Sequence, residues 1–114
     1  YDGPRIQQVL INILENSAAF INQKSDGKIL LRIYVNENNE LIMAIHNNGP
    51  SIKFEDQAHL FEPFISKRSG GSGLGLSIVR RIVDAYDGTV QHSQDYGWPV
   101  SFIITLPISQ NHNE

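Results

Sequence analysis

The stretch Gly70-Gly71-Ser72-Gly73-Leu74-Gly75 places four glycines in six residues and is followed at once by a helical pattern. Such a run has little side-chain bulk and easy access to positive φ, so it tolerates a backbone closely approached by a ligand. Beyond it, Leu74, Ile78, Ile82 and Tyr86 recur at four-residue spacing and mark one face of a predicted helix, while Arg80, Arg81 and Asp84 fall elsewhere. Asp87 and Gly88 supply a left-handed stop. Glycines that open a helix leave N–H groups free where the helix dipole favours negative charge, which makes a phosphate site. The alternative is a plain loop before a helix. The run is neither a P-loop, since no Gly-Lys-Ser/Thr follows, nor a dinucleotide fingerprint, since Leu76 stands where its third glycine would fall.

At 114 residues the chain has room for one domain with a real core. We assign residues 1–108 to that domain and residues 109–114 to a polar tail. A net charge of −3 gives no general attraction to nucleic acid or to an anionic membrane, so phosphate binding has to be local. The absence of cysteine excludes disulfides and thiolate metal sites and fits a reducing compartment, with a cytoplasmic location expected. No apolar run is long enough to span a membrane, and no signal peptide opens the chain. A start at Tyr1 reads as a piece of something longer.

Asp2-Gly3-Pro4 is a helix-start signal. Over residues 5–20, Ile6, Val9, Leu10, Ile13, Leu14 and Ala18 form a broad apolar stripe. Asn12 and Asn16 project from one side of the same helix. Asparagine is a poor mid-helix residue. Two of them four apart suggest a ligand-facing strip, and an amide carbonyl suits Mg²⁺, which otherwise keeps water and phosphate oxygens around it. The bland reading is a pair of exposed asparagines.

Residues 28–35 alternate and read as a strand, residues 36–40 as a hairpin connection, and residues 41–45 as a return strand apolar on both sides and therefore central. Residues 46–52 are a turn cluster at the mouth of that strand. A polar side chain there is placed to read a base edge, whereas Asn before Gly is also ordinary turn chemistry. His46 reads as structural or surface-exposed. Residues 54–60 suggest a short helix, and Phe61 and Phe64 suit pinning a loop on the core. The basic Ser66-Lys67-Arg68-Ser69 leads into the glycines like a lid over phosphates. Residues 89–94 and 100–106 read as closing strands, the last ended by Pro107. The expected fold is α+β, a two-layer sandwich with a mixed, mostly antiparallel sheet and helices on one face.

Four segments in order resemble the ATP-binding catalytic domain of sensor histidine kinases, within the gyrase, chaperone, histidine kinase and mismatch-repair ATPase superfamily with its Bergerat fold. Residues 5–18 are similar to that family's asparagine box. Asn47-Asn48-Gly49-Pro50-Ser51-Ile52 resembles its first glycine box, Leu60-Phe61-Glu62-Pro63-Phe64 its phenylalanine box, and residues 71–79 its second glycine box. The resemblance implies that Asn16 coordinates Mg²⁺ on the ATP phosphates, with Asn12 close by. It implies that Asn47 meets the adenine amino group, that Gly49 and Ile52 shape the adenine pocket, and that residues 61–71 are an ATP lid. Gly71, Ser72, Gly73, Leu74 and Gly75 line the phosphates, and Lys67 is a candidate contact for the γ-phosphate.

The same resemblance implies a kinase rather than a hydrolase. ATPase branches carry a glutamate general base one turn before the metal asparagine, and Asn12 stands there instead, unable to take a proton from water. ATP is then held until an acceptor histidine arrives from an upstream dimerisation and phosphoacceptor domain of a homodimeric parent. A response-regulator receiver domain is the onward partner. No contact with nucleic acid is implied, and none with a membrane by this stretch, although the parent chain can carry an anchor. The chain departs from the family at Asn47, where aspartate is usual; the amide keeps a carbonyl acceptor for the adenine amino group, and the charge-assisted part of that bond, about 1–2 kcal/mol, is lost. It departs also at Ser51, at Ala19 and at Gly97-Trp98-Pro99-Val100. These departures support an alternative reading, a degenerate kinase-like module that acts through protein–protein contact. An amide also donates, which leaves the base preference open.

Overall fold

The computed structural model describes residues 3–22, 25–62 and 75–108. The elements in chain order are α1 (Gly3–Ile21), β1 (Ile29–Val35), β2 (Glu40–Asn47), α2 (Phe54–Gln57), α3 (Gly75–Ala85), β3 (Thr89–Ser93) and β4 (Val100–Pro107). The strands form one sheet in the order β1-β2-β4-β3, and every pairing is antiparallel. The apolar β2 is central as expected, flanked by β1 and β4. This is the two-layer α+β architecture, with no parallel pair among the described strands.

Strand alternation sorts the sheet into two faces. Met43 and Ile45 of β2, Val90 of β3, and Val100, Phe102, Ile104 and Leu106 of β4 meet Val9, Ile13 and Phe20 of α1 and Leu76, Val79, Ile82 and Val83 of α3 in one core. The opposite face holds a small cluster of Ile42, Ala44 and Ile103. The buried stripe of α3 is therefore rotated from the row expected from spacing: Ile78 and Tyr86 lie at its margin, half-buried. The 3.6-residue period brings 76, 79, 82 and 83 onto one side, a wider stripe than a strict four-residue row selects.

Helix α3 ends in a Schellman motif. Gly88 N donates to the Val83 carbonyl at 3.0 Å and Asp87 N to the Asp84 carbonyl at 3.0 Å. The left-handed residue is Asp87, with φ 61°. Gly88 is needed for a different reason: a Cβ there would collide with the Thr105 carbonyl oxygen and stand 2.6 Å from Leu106 Cδ2.

Strand β1 forms where the sequence places a strand; it is an edge strand, all seven of its residues are exposed, and no helix among the described residues covers it. Two expectations need correcting. Strand β2 continues two residues past Ile45, so His46 and Asn47 belong to the sheet rather than to the following turn. Both are paired through β4, His46 opposite Ser101 and Asn47 opposite Val100. Helix α2 is shorter than the predicted 54–60.

Candidate functional site

The last residue of β2 brings the site together. Asn47 lies on the same face as Met43 and Ile45, the face covered by the helices, and is completely buried. Its Oδ1 accepts the Gly49 N–H at 2.9 Å, and its Nδ2 is buried with no partner. Its neighbour Asn48 has a different role. Asn48 Oδ1 accepts from Lys28 N at 2.7 Å, its Nδ2 donates to the Asp26 carbonyl at 3.0 Å, and its N–H donates to the Lys28 carbonyl at 3.2 Å. Asn48 therefore ties the strand end to the 26–28 turn and holds Asn47 in place.

Gly49 lies against α1. A Cβ there would sit 2.7 Å from the Phe20 carbonyl oxygen and 2.9 Å from Phe20 Cβ, so the loop after β2 passes the end of α1 at backbone contact. Ile52 is buried in the main core and its carbonyl accepts from Gln57 Nε2 at 3.1 Å. Ser51 is exposed, so its side chain is not packed into the core beside Ile52.

Along α1, Asn12 and Asn16 are half-buried and each presents a buried Nδ2 with no partner. Ser17, one residue on, is fully buried with an equally unmatched hydroxyl. Helix α3 begins beside them, since a Cβ on Gly75 would stand 4.0 Å from the Asn12 carbonyl oxygen. The structure thus places the Asn12 backbone beside the N-terminus of α3, with Asn16 one turn further along α1, and sets Gly49, hydrogen-bonded to Asn47, against Phe20 at the end of α1. Lys67, Gly71, Ser72, Gly73 and Leu74 lie outside the described residues, as do Pro63 and Phe64. Phe61 is half-buried, packs edge-on against Phe102 at 6.4 Å and lies under the Arg80 guanidinium at 5.9 Å, which fastens the turn after α2 to the core.

Buried polar atoms without partners are rare in folded proteins and call for an explanation. Three amide donors and one hydroxyl, all on α1 and the end of β2, suit a ligand rich in acceptor oxygens. Phosphate oxygens match the Nδ2 groups of Asn12 and Asn16. No cluster of three or more His, Asp or Glu capable of holding a metal occurs among the described residues. A metal here would have to rely on an amide carbonyl and phosphate oxygens, as Mg²⁺ does. The residues fit such an ion, to which Asn16 Oδ1 would offer an amide carbonyl.

The structure decides between the two readings of His46 in favour of the structural one, with partners the sequence did not show. The side chain is 3% exposed on the outer face of the sheet, with Nδ1 2.7 Å from Ser101 Oγ. Trp98 stacks on it at 5.8 Å and Tyr96 meets it edge-on at 5.8 Å. The bulky Gly97-Trp98-Pro99 turn therefore roofs a buried histidine, with Gly97 supplying the left-handed corner at φ 82°. Burial first, and the Arg32 charge second, hold the His46 pKa below its usual 6.5. The clue was the apolar strand on one side of His46 and the aromatic turn fifty residues later, which only the β2–β4 pairing brings together.

Comparison with known proteins gives the same reading. A family profile described as "Histidine kinase-, DNA gyrase B-, and HSP90-like ATPase" matches residues 1–110. The chain is 31% identical over 113 residues to the signal transduction histidine-protein kinase AtoS of Escherichia coli (strain K12), covering 99% of this chain and 18% of that protein. It is 33% identical to the sensory histidine kinase/phosphatase NtrB of Rhizobium meliloti (strain 1021), covering 93% of this chain and 31% of that protein. Among solved structures, a mycobacterial sensor histidine kinase MprB superposes with TM-score 0.81 at 25% identity, over 94% of this chain and 74% of that one. The catalytic domain of histidine kinase ThkA superposes with TM-score 0.78 at 33% identity, over 93% of this chain and 68% of that one.

The chain belongs to the histidine kinase-, DNA gyrase B- and HSP90-like ATPase family. Within it, the chain is an ATP-binding catalytic domain of the two-component sensor kinase type. It spans less than a third of the length of the curated relatives AtoS and NtrB. No helix among the described residues is long and apolar enough to cross a membrane.

Proposed function

We propose that this domain holds Mg²⁺·ATP in the seam between α1 and β2 and delivers the γ-phosphoryl group to a histidine on a separate dimerisation domain of the same protein. The observation that carries this reading is the row of buried, unpartnered amide donors at Asn12, Asn16 and Asn47, beside the glycine-led start of α3. Asn12 and Asn16 grip the phosphates; Lys67 and Gly71 to Leu74, which lie outside the described residues, are assigned to the phosphates from the sequence alone, and Gly75 opens α3 beside Asn12. Gly49, Ile52 and Asn47 receive the base. Mg²⁺, when bound through Asn16, neutralises phosphate charge and orients the terminal group.

Phosphoryl transfer asks a protein for positioning and charge stabilisation more than covalent help. An imidazole nitrogen attacks the γ-phosphorus, the bond to the β–γ bridging oxygen breaks, and ADP leaves. Asn12 cannot accept a proton, so the site lacks a base for activating water and holds ATP for the histidine. The parent acts as a homodimer and passes its phosphoryl group to a receiver domain of a response regulator; among the curated relatives, AtoS and NtrB are histidine kinases by name.

The test uses the full-length protein with γ-labelled ATP and Mg²⁺. Acid-labile, base-stable label on the protein, lost in Asn16→Ala, is the expected result. ATP binding without any such label in the full-length protein would remove the kinase assignment.

A further inference from the structure

Ser17 is the odd member of the stripe by which α1 meets the sheet. Val9, Ile13 and Phe20 share that buried stripe and are apolar, whereas Ser17 is 0% exposed and carries a hydroxyl with no partner. A helical serine can turn its hydroxyl onto the carbonyl four residues back, here that of Ile13, and this one does not. Alanine would fill the position without an unmatched polar group and would favour the helix more.

Asn47 supplies a second buried group in the same condition. Its Oδ1 is engaged by the Gly49 N–H at 2.9 Å, which leaves Nδ2, a donor only, without a partner. The two elements converge at Gly49: a Cβ there would stand 2.9 Å from Asn47 Oδ1 and 2.9 Å from Phe20 Cβ. Ser17 lies one turn before Phe20 on the buried side of α1. The serine hydroxyl and the asparagine amide do not bond each other, so a third group has to satisfy both.

The Watson–Crick edge of adenine carries an acceptor, N1, beside a donor, the 6-amino group. Nδ2 has hydrogens alone, so it can meet N1 and never the amino group. A hydroxyl oxygen accepts, so Ser17 can take a hydrogen of the amino group. We propose, on the reading above that Asn47, Gly49 and Ile52 receive the base, that Ser17 is a second base-reading residue. Its Oγ accepts from the 6-amino group of adenine while Asn47 Nδ2 donates to N1. Ser17 thereby supplies the acceptor that Asn47 offers only through an oxygen already held by Gly49.

The experiment is calorimetric titration of the full-length protein and its Ser17→Ala variant in excess Mg²⁺. The two ligands are ATP and purine riboside triphosphate, which keeps N1 and lacks the 6-amino group. Removing an unmatched buried hydroxyl should leave the urea midpoint equal to or above that of the parent. The expected result is ATP affinity lower by about 2- to 12-fold in the variant, the worth of one neutral hydrogen bond. Affinity for the analogue is unchanged. An equal loss for both nucleotides overturns the proposal, because Ser17 then acts through pocket shape or a bridging water. No loss for ATP overturns it as well and leaves the amino group to Asn47 Oδ1. Either result leaves the nucleotide site standing. A parent that binds neither nucleotide at millimolar concentration removes the site itself, and the role of Ser17 with it.

Discussion

Gly49 and the Phe20 carbonyl oxygen face each other with no room for a methyl group between them: a Cβ on Gly49 would lie 2.7 Å from that oxygen. Neither partner can yield easily, since one is a helix-terminal carbonyl and the other is hydrogen-bonded to the Asn47 side chain and follows the anchored Asn48. Gly49→Ala should therefore push the loop away from α1 and carry Asn47 with it, because the Asn47–Gly49 hydrogen bond would stretch. Overpacking of this kind destabilises by about 1–3 kcal/mol. The expected outcome is a lower urea midpoint together with loss of nucleotide affinity. Unchanged affinity in a folded Gly49→Ala protein would mean that the loop does not border the base.

Gly88 provides a comparison at a site with no ligand role. Its added Cβ would meet the Thr105 carbonyl and Leu106 Cδ2, joining the end of α3 to β4. Gly88→Ala should lower stability by about 1–3 kcal/mol. In a domain of about this size each kcal/mol corresponds to a Tm shift of about 4–8 °C. Nucleotide affinity measured well below the new Tm should remain as in the parent. The pair of glycine variants thus separates a structural close approach from one that shapes the site.

The parts of this fold with strong local patterns were legible in the sequence. Helix α1 and both hairpins follow from apolar spacing and turn residues, and the central place of β2 follows from its being apolar on both sides. What eluded the pattern depended on partners far along the chain. His46 and Asn47 look like turn residues because polar groups close an apolar run, yet pairing with Ser101 and Val100 draws them into the sheet. The alternation in β1 marks it as a strand but does not say which strand it pairs with, and its place at the sheet edge, with every residue exposed, appears only in the assembled sheet. The candidate site was legible in the sequence as residue types in a resembled order. The direction of the Asn47 amide was not, because it is decided by the Gly49 N–H in three dimensions.

The buried His46 should make stability depend on pH. Its folded pKa lies below 6.5 through burial and the Arg32 charge, so below that pH the unfolded chain takes up a proton that the folded chain resists. Stability is then complete above 6.5 and declines as pH falls toward the depressed folded value. Burial shifts His92 in the same direction. The exposed His59, raised chiefly by its hydrogen bond to Glu62, has the opposite sign. Urea midpoints measured from pH 7.5 down to 5.5 should fall in the parent. His46→Gln should flatten that slope without abolishing it. An equally steep slope in the variant would assign the effect to His92.

Asn16 is the proposed metal ligand and lies half-buried on a helix, where alanine is a better helix former. Asn16→Ala should therefore fold with stability close to the parent. Its loss should show in binding: a hydrogen bond or coordination to a charged partner contributes about 1.5–3 kcal/mol. That corresponds to affinity for Mg²⁺·nucleotide lower by about 10- to 150-fold. Without Mg²⁺ the parent and variant should differ much less. Equal losses with and without the metal would place Asn16 on the phosphates alone.

Asn12 tests the division between kinase and hydrolase most directly. Its carbonyl is close to the start of α3 and its amide nitrogen is buried without a partner, one turn from Asn16. A glutamate there would add the proton acceptor that the site lacks, on the same side of α1 as the proposed phosphates. General-base assistance is worth about 10²- to 10⁴-fold when well placed. Because the position was not shaped for it, a rise of about tenfold in Mg²⁺-dependent phosphate release from ATP is a reasonable lower bound for Asn12→Glu. Phosphorylation of the histidine should fall correspondingly as water competes for the same terminal phosphoryl group. A variant that binds ATP normally yet shows no gain in hydrolysis would mean that Asn12 does not face the γ-phosphate, and that the protection of bound ATP from water has another source.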